Sequence, residues 1–278
     1  MPEGPETRNM ADGISKSLKD KEILSFKFLY KTLVPLSDVS SFRIIDVSSK
    51  GKAIVLGLNN GLSIITHNQL YGKWTFHRPK TVVRTNRQLR IEFTTKTKIV
   101  RLWSATDILV FETNSVFDHP YIKKLGPDVL DGSTDVNTII NQLKDKRFRN
   151  RKLSSILLDQ SFIAGLGNYL RSEILYFSEL MFSLKPSSLK DDSLVKLAKE
   201  IKKVSLRAYY QKGKTIDNEF ISNTFGNIDN FRKLKHMVFS REGLPCLKCG
   251  NKISKFLIAS RRIFACAECQ KTKAERNI

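Results

Sequence analysis

Four cysteines grouped near the carboxyl end constrain the fold of this chain more than any other feature. Cys246 and Cys249 form one CxxC pair, Cys266 and Cys269 form a second, and sixteen residues separate the two pairs. A disulfide framework spreads its cysteines along the chain, whereas two CxxC pairs at this spacing can place four thiolates around one Zn²⁺. We therefore predict a small unit built on one structural zinc ion, with a redox pair as the alternative.

A large excess of positive charge is the second constraint. The 278 residues include 48 Lys and Arg against 27 Asp and Glu, which gives a net charge of +21. A compact body with this charge favours a polyanionic partner, and nucleic acid is the usual one. A ribosome-associated or simply basic protein is the alternative. There is no apolar run of membrane-spanning length and no apolar signal sequence, so we expect a soluble intracellular monomer without a membrane partner.

The hydrophobic pattern divides the chain into dissimilar parts. Helical spacing predicts a helix over residues 5–19, and short β-branched or aromatic segments then alternate with turn residues to about residue 118. We predict strands at 23–29, 42–47, 53–58, 62–66, 88–94, 99–103 and 108–112. This pattern is typical of a β-sandwich or barrel. Later apolar residues recur at helical spacing, including a long helix that ends near Gly213.

The predicted organisation is α+β and multidomain. An N-terminal β-sandwich with its helix occupies residues 1–122, and a Gly- and Pro-containing linker follows at 123–135. A helical domain spans 136–235, and the cysteine unit with a basic tail spans 236–278. The polar, Asn-rich stretch 215–230 is predicted to be a mobile loop.

A glycine-containing turn between two predicted helices is the first candidate DNA contact. Gly165 and Gly167 allow close approach of the backbone to a ligand, and the helix that starts near Asn168 offers free N–H groups to a phosphate. A plain helical hairpin is the alternative. Basic residues flank the turn and favour DNA: Arg147, Arg149, Arg151, Lys152 and Arg171. The hairpin between the cysteine pairs is also basic, with Lys252, Lys255, Arg261 and Arg262.

The amino terminus offers a nucleophile. Removal of Met1, which we expect because Pro2 is small, exposes a secondary amine that titrates near about 7.7–8.0. Attack of such an amine on a sugar carbon gives an iminium ion, and Glu3 lies beside it as a proton carrier. Many proteins begin Met-Pro without a catalytic role.

Five motifs together resemble the formamidopyrimidine-DNA glycosylase and endonuclease VIII family. They are MPEGPE at the amino end, GKA at 51–53, HNQLYGKW at 67–74, LLDQSFIAGLGNYLRSEIL at 157–175, and the terminal CLKCG with SRRIFACAECQ. They occur in the family's order and span almost the whole chain. The resemblance implies an N-terminal β-sandwich, a helix–two-turn–helix domain and a zinc finger. It also implies a base-excision repair glycosylase with a β,δ-eliminating lyase activity.

The resemblance assigns roles to single residues. Pro2 resembles the nucleophile that attacks C1′ of the damaged nucleotide, and Glu3 the acid that assists opening of the sugar ring. Lys52 resembles the hairpin lysine that contacts the lesion phosphate and supports catalysis; a solvated turn lysine is the alternative. Glu6 and Glu173 resemble residues that shape the pocket around the proline.

Other residues resemble the family's DNA contacts. Asn168 and Arg261 resemble its phosphate clamp, and His67 adds a phosphate contact unless it is a structural histidine. Gln69, Leu70 and Tyr71 resemble the triplet that endonuclease VIII inserts into the gap left by an extruded base; burial of Leu70 and Tyr71 in the core is the alternative.

The triplet sets the expected substrate. It favours damaged pyrimidines over oxidised purines, although the long stretch 215–230 leaves the substrate preference open. We expect binding to duplex and also to single-stranded DNA. A zinc-finger protein that binds damaged DNA without catalysis is the other reading. The trio of Pro2, Glu3 and Lys52 argues against it, because a mere binder does not need these residues.

Overall fold

A computed structural model describes residues 2–36, 39–216, 218–225 and 234–271. The chain divides into two compact units, 1–124 and 125–278. Met1, the basic tail from residue 272 and residues 226–230 of the predicted loop lie outside the described residues. No helix within the described residues is both long and apolar enough to span a bilayer.

The first unit is a helix followed by two antiparallel four-stranded sheets. Helix α1 spans Gly4–Leu18, and its apolar face, which includes Ile14 and Leu18, is buried. The strands are β1 Ser25–Phe28, β2 Ile44–Lys50, β3 Ala53–Leu58, β4 Leu62–His67, β5 Lys73–His77, β6 Leu89–Thr94, β7 Ile99–Trp103 and β8 Asp107–Glu112. One sheet has the order β1-β6-β7-β5 and the other β2-β3-β4-β8. The predicted β-sandwich is confirmed.

Two apolar clusters explain why strand β3 is buried along its whole length. Ile54 and Leu56 belong to the main core between the sheets, together with Ile64, Phe93 and Val100. The alternate residues of β3, Ala53 and Val55, enter a second cluster with Ile65, Val116 and Ile122. Successive strand residues face opposite sides, so a strand covered on both sides becomes continuously apolar. Short 3₁₀ helices at Thr113–Asp118 and Ile122–Lys124 provide the outer cover.

The second unit is helical with a terminal hairpin. Its helices are α2 Val136–Lys144, α3 Leu153–Ile156, α4 Asn168–Phe177, α5 Asp191–Tyr210 and α6 Asn218–Phe225. Helix α5 begins with two aspartates and has Arg207 in its last turn, charges that suit the helix dipole. Strands β9 Ser254–Ile258 and β10 Arg261–Ala265 form the predicted two-stranded unit between the cysteine pairs.

The structure differs from the sequence expectations in two elements. Strand β5 was not among the predicted strands; it pairs with β7 in register and buries Trp74, while its exposed Lys73 obscures the strand pattern. The prediction of a mobile loop over 215–230 is wrong for 218–225, which form α6 with Ile221 buried in a cluster beside the cysteine unit. Tertiary contacts there outweigh the polar composition.

Residues 125–135, interpreted above as part of the linker, pack within the second unit. The Gly126 N–H donates to the Gln160 carbonyl at 2.9 Å, and Val129 is completely buried in the helical core. The Lys202 ammonium on α5 donates to the carbonyls of Val129 and Asp131.

Candidate active site and nucleic-acid interface

The amino end is fixed by the start of α1. Glu3 is the extended residue that precedes the helix and is only 5% exposed. Its backbone N–H donates to the Glu6 carboxylate at 3.0 Å, which satisfies a donor that the helix cannot. The positive end of the helix dipole favours both carboxylates here. Pro2 is half-buried and directly precedes this cap.

Lys52 lies in the two-residue turn of the β2–β3 hairpin. The last ladder pair is Lys50 with Ala53, which leaves Gly51 and Lys52 as the turn. Gly51 has φ +58°, a left-handed conformation at the first turn position that glycine adopts without strain. The Lys52 N–H donates to the Tyr121 hydroxyl at 2.9 Å. The lysine is therefore on a braced turn and not on a free loop.

His67 ends strand β4 and is half-buried. Its Nδ1 accepts the Gln69 N–H at 3.1 Å, so the proton of the neutral ring sits on Nε2, a potential phosphate donor. Burial lowers the pKa of His67 below 6.5, Asp107 opposes this effect, and Lys52 and His119 add to it. The imidazole is accordingly neutral at physiological pH.

The triplet 69–71 protrudes from the sandwich. Leu70 and Tyr71 are 67% and 69% exposed, which excludes the alternative that they are core residues. The Gly72 N–H closes the turn on the Asn68 carbonyl at 2.7 Å. A Cβ on Gly72 would lie 2.6 Å from that oxygen, so only glycine fits. Two apolar side chains on a rigid turn are suited to entering a stacked base pair.

Three further contacts hold this protruding turn. Arg87 donates to the Tyr71 carbonyl. The Gln69 side chain reaches Thr106, in the turn between β7 and β8, and Asp107, the first residue of β8, each at 3.4 Å. The side chains of Leu70 and Tyr71 are thus exposed on a turn whose neighbouring groups are held by hydrogen bonds.

The glycine turn of the second unit precedes α4. Gly165 has φ +94°, and Gly167 is the extended residue before the helix. The Gln160 side chain accepts the Gly165 N–H at 3.1 Å and donates to the Leu166 carbonyl at 2.9 Å. Asn168 is the first helical residue, as predicted, and its Oδ1 accepts from Arg171 at 2.8 Å. Because Oδ1 is the acceptor, the Asn168 NH₂ group is a potential donor to a ligand.

Arg171 is not the surface cation expected from its position beside the turn. It is 1% exposed and donates to the Ser154 carbonyl, the Asn168 amide and the Arg262 carbonyl at 2.8–2.9 Å. A buried guanidinium with such partners acts as a crosslink. It joins the start of α4, where Asn168 lies, to strand β10, where Arg261 lies.

Arg261 begins strand β10 and is exposed. The two-residue tip before it, Ala259 and Ser260, has φ +45° and +62°, a tight hairpin turn made here without glycine. Lys255 on the neighbouring strand pairs with Glu242. Arg261 thus stands at a sharply defined corner of the hairpin.

The four cysteines converge as predicted. Their sulfurs all lie within 4.8 Å of one another, with Cys246 to Cys269 at 3.8 Å and Cys249 to Cys266 at 3.4 Å. Tetrahedral zinc with Zn–S bonds of about 2.3 Å needs sulfurs about 3.8 Å apart, so the arrangement fits this ion.

The thiol chemistry agrees with the geometry. Burial works against ionisation of Cys246, but hydrogen bonds from Tyr176 and the backbone lower its pKa to about 7. Burial raises the pKa of Cys266 to about 11 and that of Cys269 further. Four crowded thiols cannot all ionise without a positive charge among them, which a divalent ion supplies.

Glu173, which the resemblance assigns to the pocket around the proline, is completely buried within the second unit. Its carboxylate accepts the N–H groups of Met237, Val238 and Phe239 at 2.8–2.9 Å and the Thr215 hydroxyl at 2.5 Å. These contacts tie α4 to the segment that leads into the cysteine unit.

Sequence reasoning missed Tyr121, Gln160 and the structural role of Arg171. Gln160 falls inside the motif LLDQSFIAGLGN, in which only Gly165, Gly167 and Asn168 were interpreted. Tyr121 left no signal, because its partner Lys52 lies 69 positions away.

Comparisons with known proteins give consistent matches. Residues 1–105 match the family described as formamidopyrimidine-DNA glycosylase N-terminal domain, and residues 125–219 match the formamidopyrimidine-DNA glycosylase H2TH domain. The chain is 36% identical to Endonuclease 8 of Salmonella typhi over 272 residues, which cover 98% of this chain and all of that protein. It is 35% identical to Endonuclease 8 of Klebsiella pneumoniae over 271 residues, 97% of this chain and all of that one.

A solved structure agrees on the fold. The Lactococcus lactis Fpg in complex with DNA containing an abasic site superposes with a TM-score of 0.78 at 20% sequence identity. The match covers 97% of this chain and all of that one.

Proposed function

Because this chain belongs to the formamidopyrimidine-DNA glycosylase and endonuclease VIII family, in its endonuclease VIII branch, we propose that it excises damaged bases and nicks the strand with an AP lyase activity. The observation that carries the proposal is the amino end of α1. There Pro2 directly precedes Glu3, a residue with an almost fully buried side chain at the helix cap. This gives a potential amine nucleophile and a proton carrier on one rigid element.

The chemistry follows from a secondary amine. The Pro2 nitrogen bonds to C1′ and gives up its N–H proton as the C1′–base bond breaks, and the base leaves with the electron pair and takes up a proton. Glu3 protonates the ring oxygen, the C1′–O4′ bond opens, and an iminium ion forms. The iminium acidifies the C2′ hydrogen; its loss expels the 3′ phosphate, and proton loss at C4′ then expels the 5′ phosphate. Water releases the sugar and restores the amine.

The remaining site residues position the DNA. Lys52, His67, Asn168 and Arg261 bind phosphates around the lesion, and Gln69, Leu70 and Tyr71 fill the gap that the extruded nucleotide leaves. Glu6 supports the cap at Glu3, and Glu173 supports the pocket through the backbone segment 237–239. Both proposed roles are inferred from hydrogen bonds that each glutamate makes within its own unit.

We infer that Cys246, Cys249, Cys266 and Cys269 hold one Zn²⁺, which supplies a structural crosslink. Tyr176 and the Lys248 N–H donate to the Cys246 sulfur, each at 3.5 Å, and four thiolates complete the tetrahedral coordination of such an ion. This leaves no position on the ion for a substrate. Its effect is to hold the hairpin that presents Arg261.

Oxidised pyrimidines are the proposed substrates, with oxidised purines as the alternative. The protruding Leu70 and Tyr71 and the Endonuclease 8 relatives support the pyrimidine assignment. We place the protein as a monomer inside the cell, on duplex and also single-stranded DNA. A panel of duplexes and single strands, each with one oxidised base, tests this by base release and nicking; preferred release of an oxidised purine would overturn it.

Borohydride trapping tests the nucleophile. Reduction during turnover on lesion DNA should convert the iminium into a stable enzyme–DNA adduct. Trypsin cuts after Arg8, so mass spectrometry should find the adduct on the peptide 2–8. An undamaged duplex is the control. Strand cleavage without an adduct, or an adduct on the peptide that contains Lys52, refutes the role of Pro2.

The second candidate function is a zinc-finger protein that binds damaged DNA without cutting it. The charge, the glycine turn and the cysteine unit are compatible with it. Mass spectrometry of the purified chain separates the two, because a retained Met1 would leave Pro2 as an unreactive amide. A cleaving preparation that retains Met1 would exclude Pro2 as nucleophile.

A further inference from the structure

The N–H of Lys52, in the turn of the β2–β3 hairpin, is a backbone donor that the β-ladder does not use. In a two-residue hairpin the ladder ends at the flanking pair, here Lys50 with Ala53. The N–H of the second turn residue then has no partner in the ladder and has to be satisfied from outside it. That partner is the Tyr121 hydroxyl, 2.9 Å from the Lys52 nitrogen.

Tyr121 is itself held firmly. Its backbone N–H donates to Nδ1 of His119 at 3.1 Å, and the next residue, Ile122, is buried. Its side chain packs against the apolar cluster that contains Ala53, the residue immediately after Lys52. The tyrosine and the base of the hairpin therefore share one packed support, and the hydroxyl is not a mobile surface group.

The ring of Tyr121 also faces a second proposed phosphate ligand. Its centroid lies 4.9 Å from that of His67, with the rings at 67° to each other in an edge-to-face arrangement. Such pairs fix ring orientation. Lys52 immediately precedes Ala53, which pairs with His67 in the β3–β4 ladder, so Tyr121 contacts both residues at one end of this ladder.

We propose that Tyr121 is a positioning residue for the reaction, which sets the place of Lys52 through its hydroxyl and the orientation of His67 through its ring. This rests on the proposed function, in which both residues bind phosphates beside the lesion. Tyr121 acts on the position of the lysine backbone and leaves the chemistry at C1′ to Pro2. Lys52 is one of four proposed phosphate contacts, so its displacement should weaken binding little. Excision should slow more, because the lesion nucleotide is held less often within reach of Pro2.

Two variants separate the hydroxyl from the ring. Tyr121→Phe removes the acceptor of the Lys52 N–H and keeps the ring. Loss of one hydrogen bond predicts a fall of about five-fold in the single-turnover rate of excision, with little change in affinity for a duplex bearing a tetrahydrofuran abasic analogue. Tyr121→Leu removes the ring as well. It should also raise the NMR titration midpoint of His67, because water replaces the ring.

A double-mutant cycle with Lys52→Ala makes the test specific. If the hydroxyl acts through Lys52, Tyr121→Phe should lower the rate about five-fold in the wild type and have no further effect in the Lys52→Ala background. Thr95→Val is the matched control. The Thr95 hydroxyl also accepts the N–H of a hairpin lysine, Lys98 in the β6–β7 turn, at 3.0 Å, and its loss should leave the rate unchanged in both backgrounds.

The outcomes distinguish the proposed role of Lys52 from the positioning role of Tyr121. A wild-type rate for Lys52→Ala refutes the proposed role of Lys52, and the positioning role of Tyr121 with it. An impaired Lys52→Ala combined with a wild-type rate for Tyr121→Phe overturns the inference alone. So does an equal fall of Tyr121→Phe in both backgrounds, which would mark a general structural effect. A fall that disappears in the Lys52→Ala background supports the inference.

Discussion

Replacing Glu173 with glutamine tests how the second unit is held together. The buried carboxylate has two donors on each oxygen: Val238 and Phe239 on Oε1, and Met237 and Thr215 on Oε2. Glutamine keeps one acceptor oxygen and replaces the other with an NH₂ group. The Thr215 hydroxyl can turn and accept from that NH₂, so the amide should place its nitrogen on the side of Thr215.

The expected cost follows from this geometry. The Met237 N–H loses its acceptor and stays buried, which costs about 1–3 kcal/mol. The bonds from Val238 and Phe239 lose their charge assistance, a further cost of about 1 kcal/mol each. Removal of a buried charge recovers part of the total. We expect Glu173→Gln to lower the free energy of unfolding of the second unit by about 2–4 kcal/mol.

The chain provides separate reporters for the measurement. Its two tryptophans, Trp74 and Trp103, both lie in the first unit, whereas most helical residues lie in the second. In a urea titration the transition in helical circular dichroism should move to lower urea, and the tryptophan fluorescence transition should move less. Glu179→Gln is the control. Its two exposed ion pairs with Lys196 and Lys248 should contribute about 0–1 kcal/mol. A wild-type helical midpoint for Glu173→Gln would refute the reasoning.

Three further predictions use other measurements. Arg261→Ala should keep its zinc, and the slope of log affinity for lesion DNA against log salt should shrink by about 0.9; an unchanged slope would show that the hairpin is only structural. Removal of the metal by a chelator should expose the cysteine unit to protease while tryptophan fluorescence stays constant, and protection that persists without metal would contradict the zinc assignment. Burial lowers the pKa of His67, His77 and His119, so the unfolded state binds more protons just below pH 6.5. Stability should therefore be full at pH 7.5 and fall between pH 6.5 and 5.5, and His119→Gln should weaken that fall; urea titrations at both pH values check the sign.

Much of the architecture follows from local sequence. The strands at 53–58 and 99–103 occupy the predicted residues because their apolar patterns are unbroken and turn residues bound them. The long helix α5 follows from apolar residues at helical spacing. The cysteine unit follows from spacing alone, since two CxxC pairs bring four thiolates together whatever surrounds them.

The failures share one cause. Strand β5 has a weak pattern of its own and is stabilised by pairing with β7, and α6 forms in a polar stretch because Ile221 is buried beside the cysteine unit. Local propensity is a weak influence that tertiary packing overrides.

Thus the sequence by itself determined the change from strands to helices along the chain, the positive charge and the set of residues available for chemistry. Only the tertiary structure decided what those residues do for one another. From the sequence Arg171 is expected to be a surface cation, but the fold buries it and bonds it to the Arg262 carbonyl, 91 positions away. The N–H of Lys52 likewise donates to the Tyr121 hydroxyl, 69 positions along the chain. Such partners leave no local signal, because a hydrogen bond depends on distance in space and not on distance along the chain.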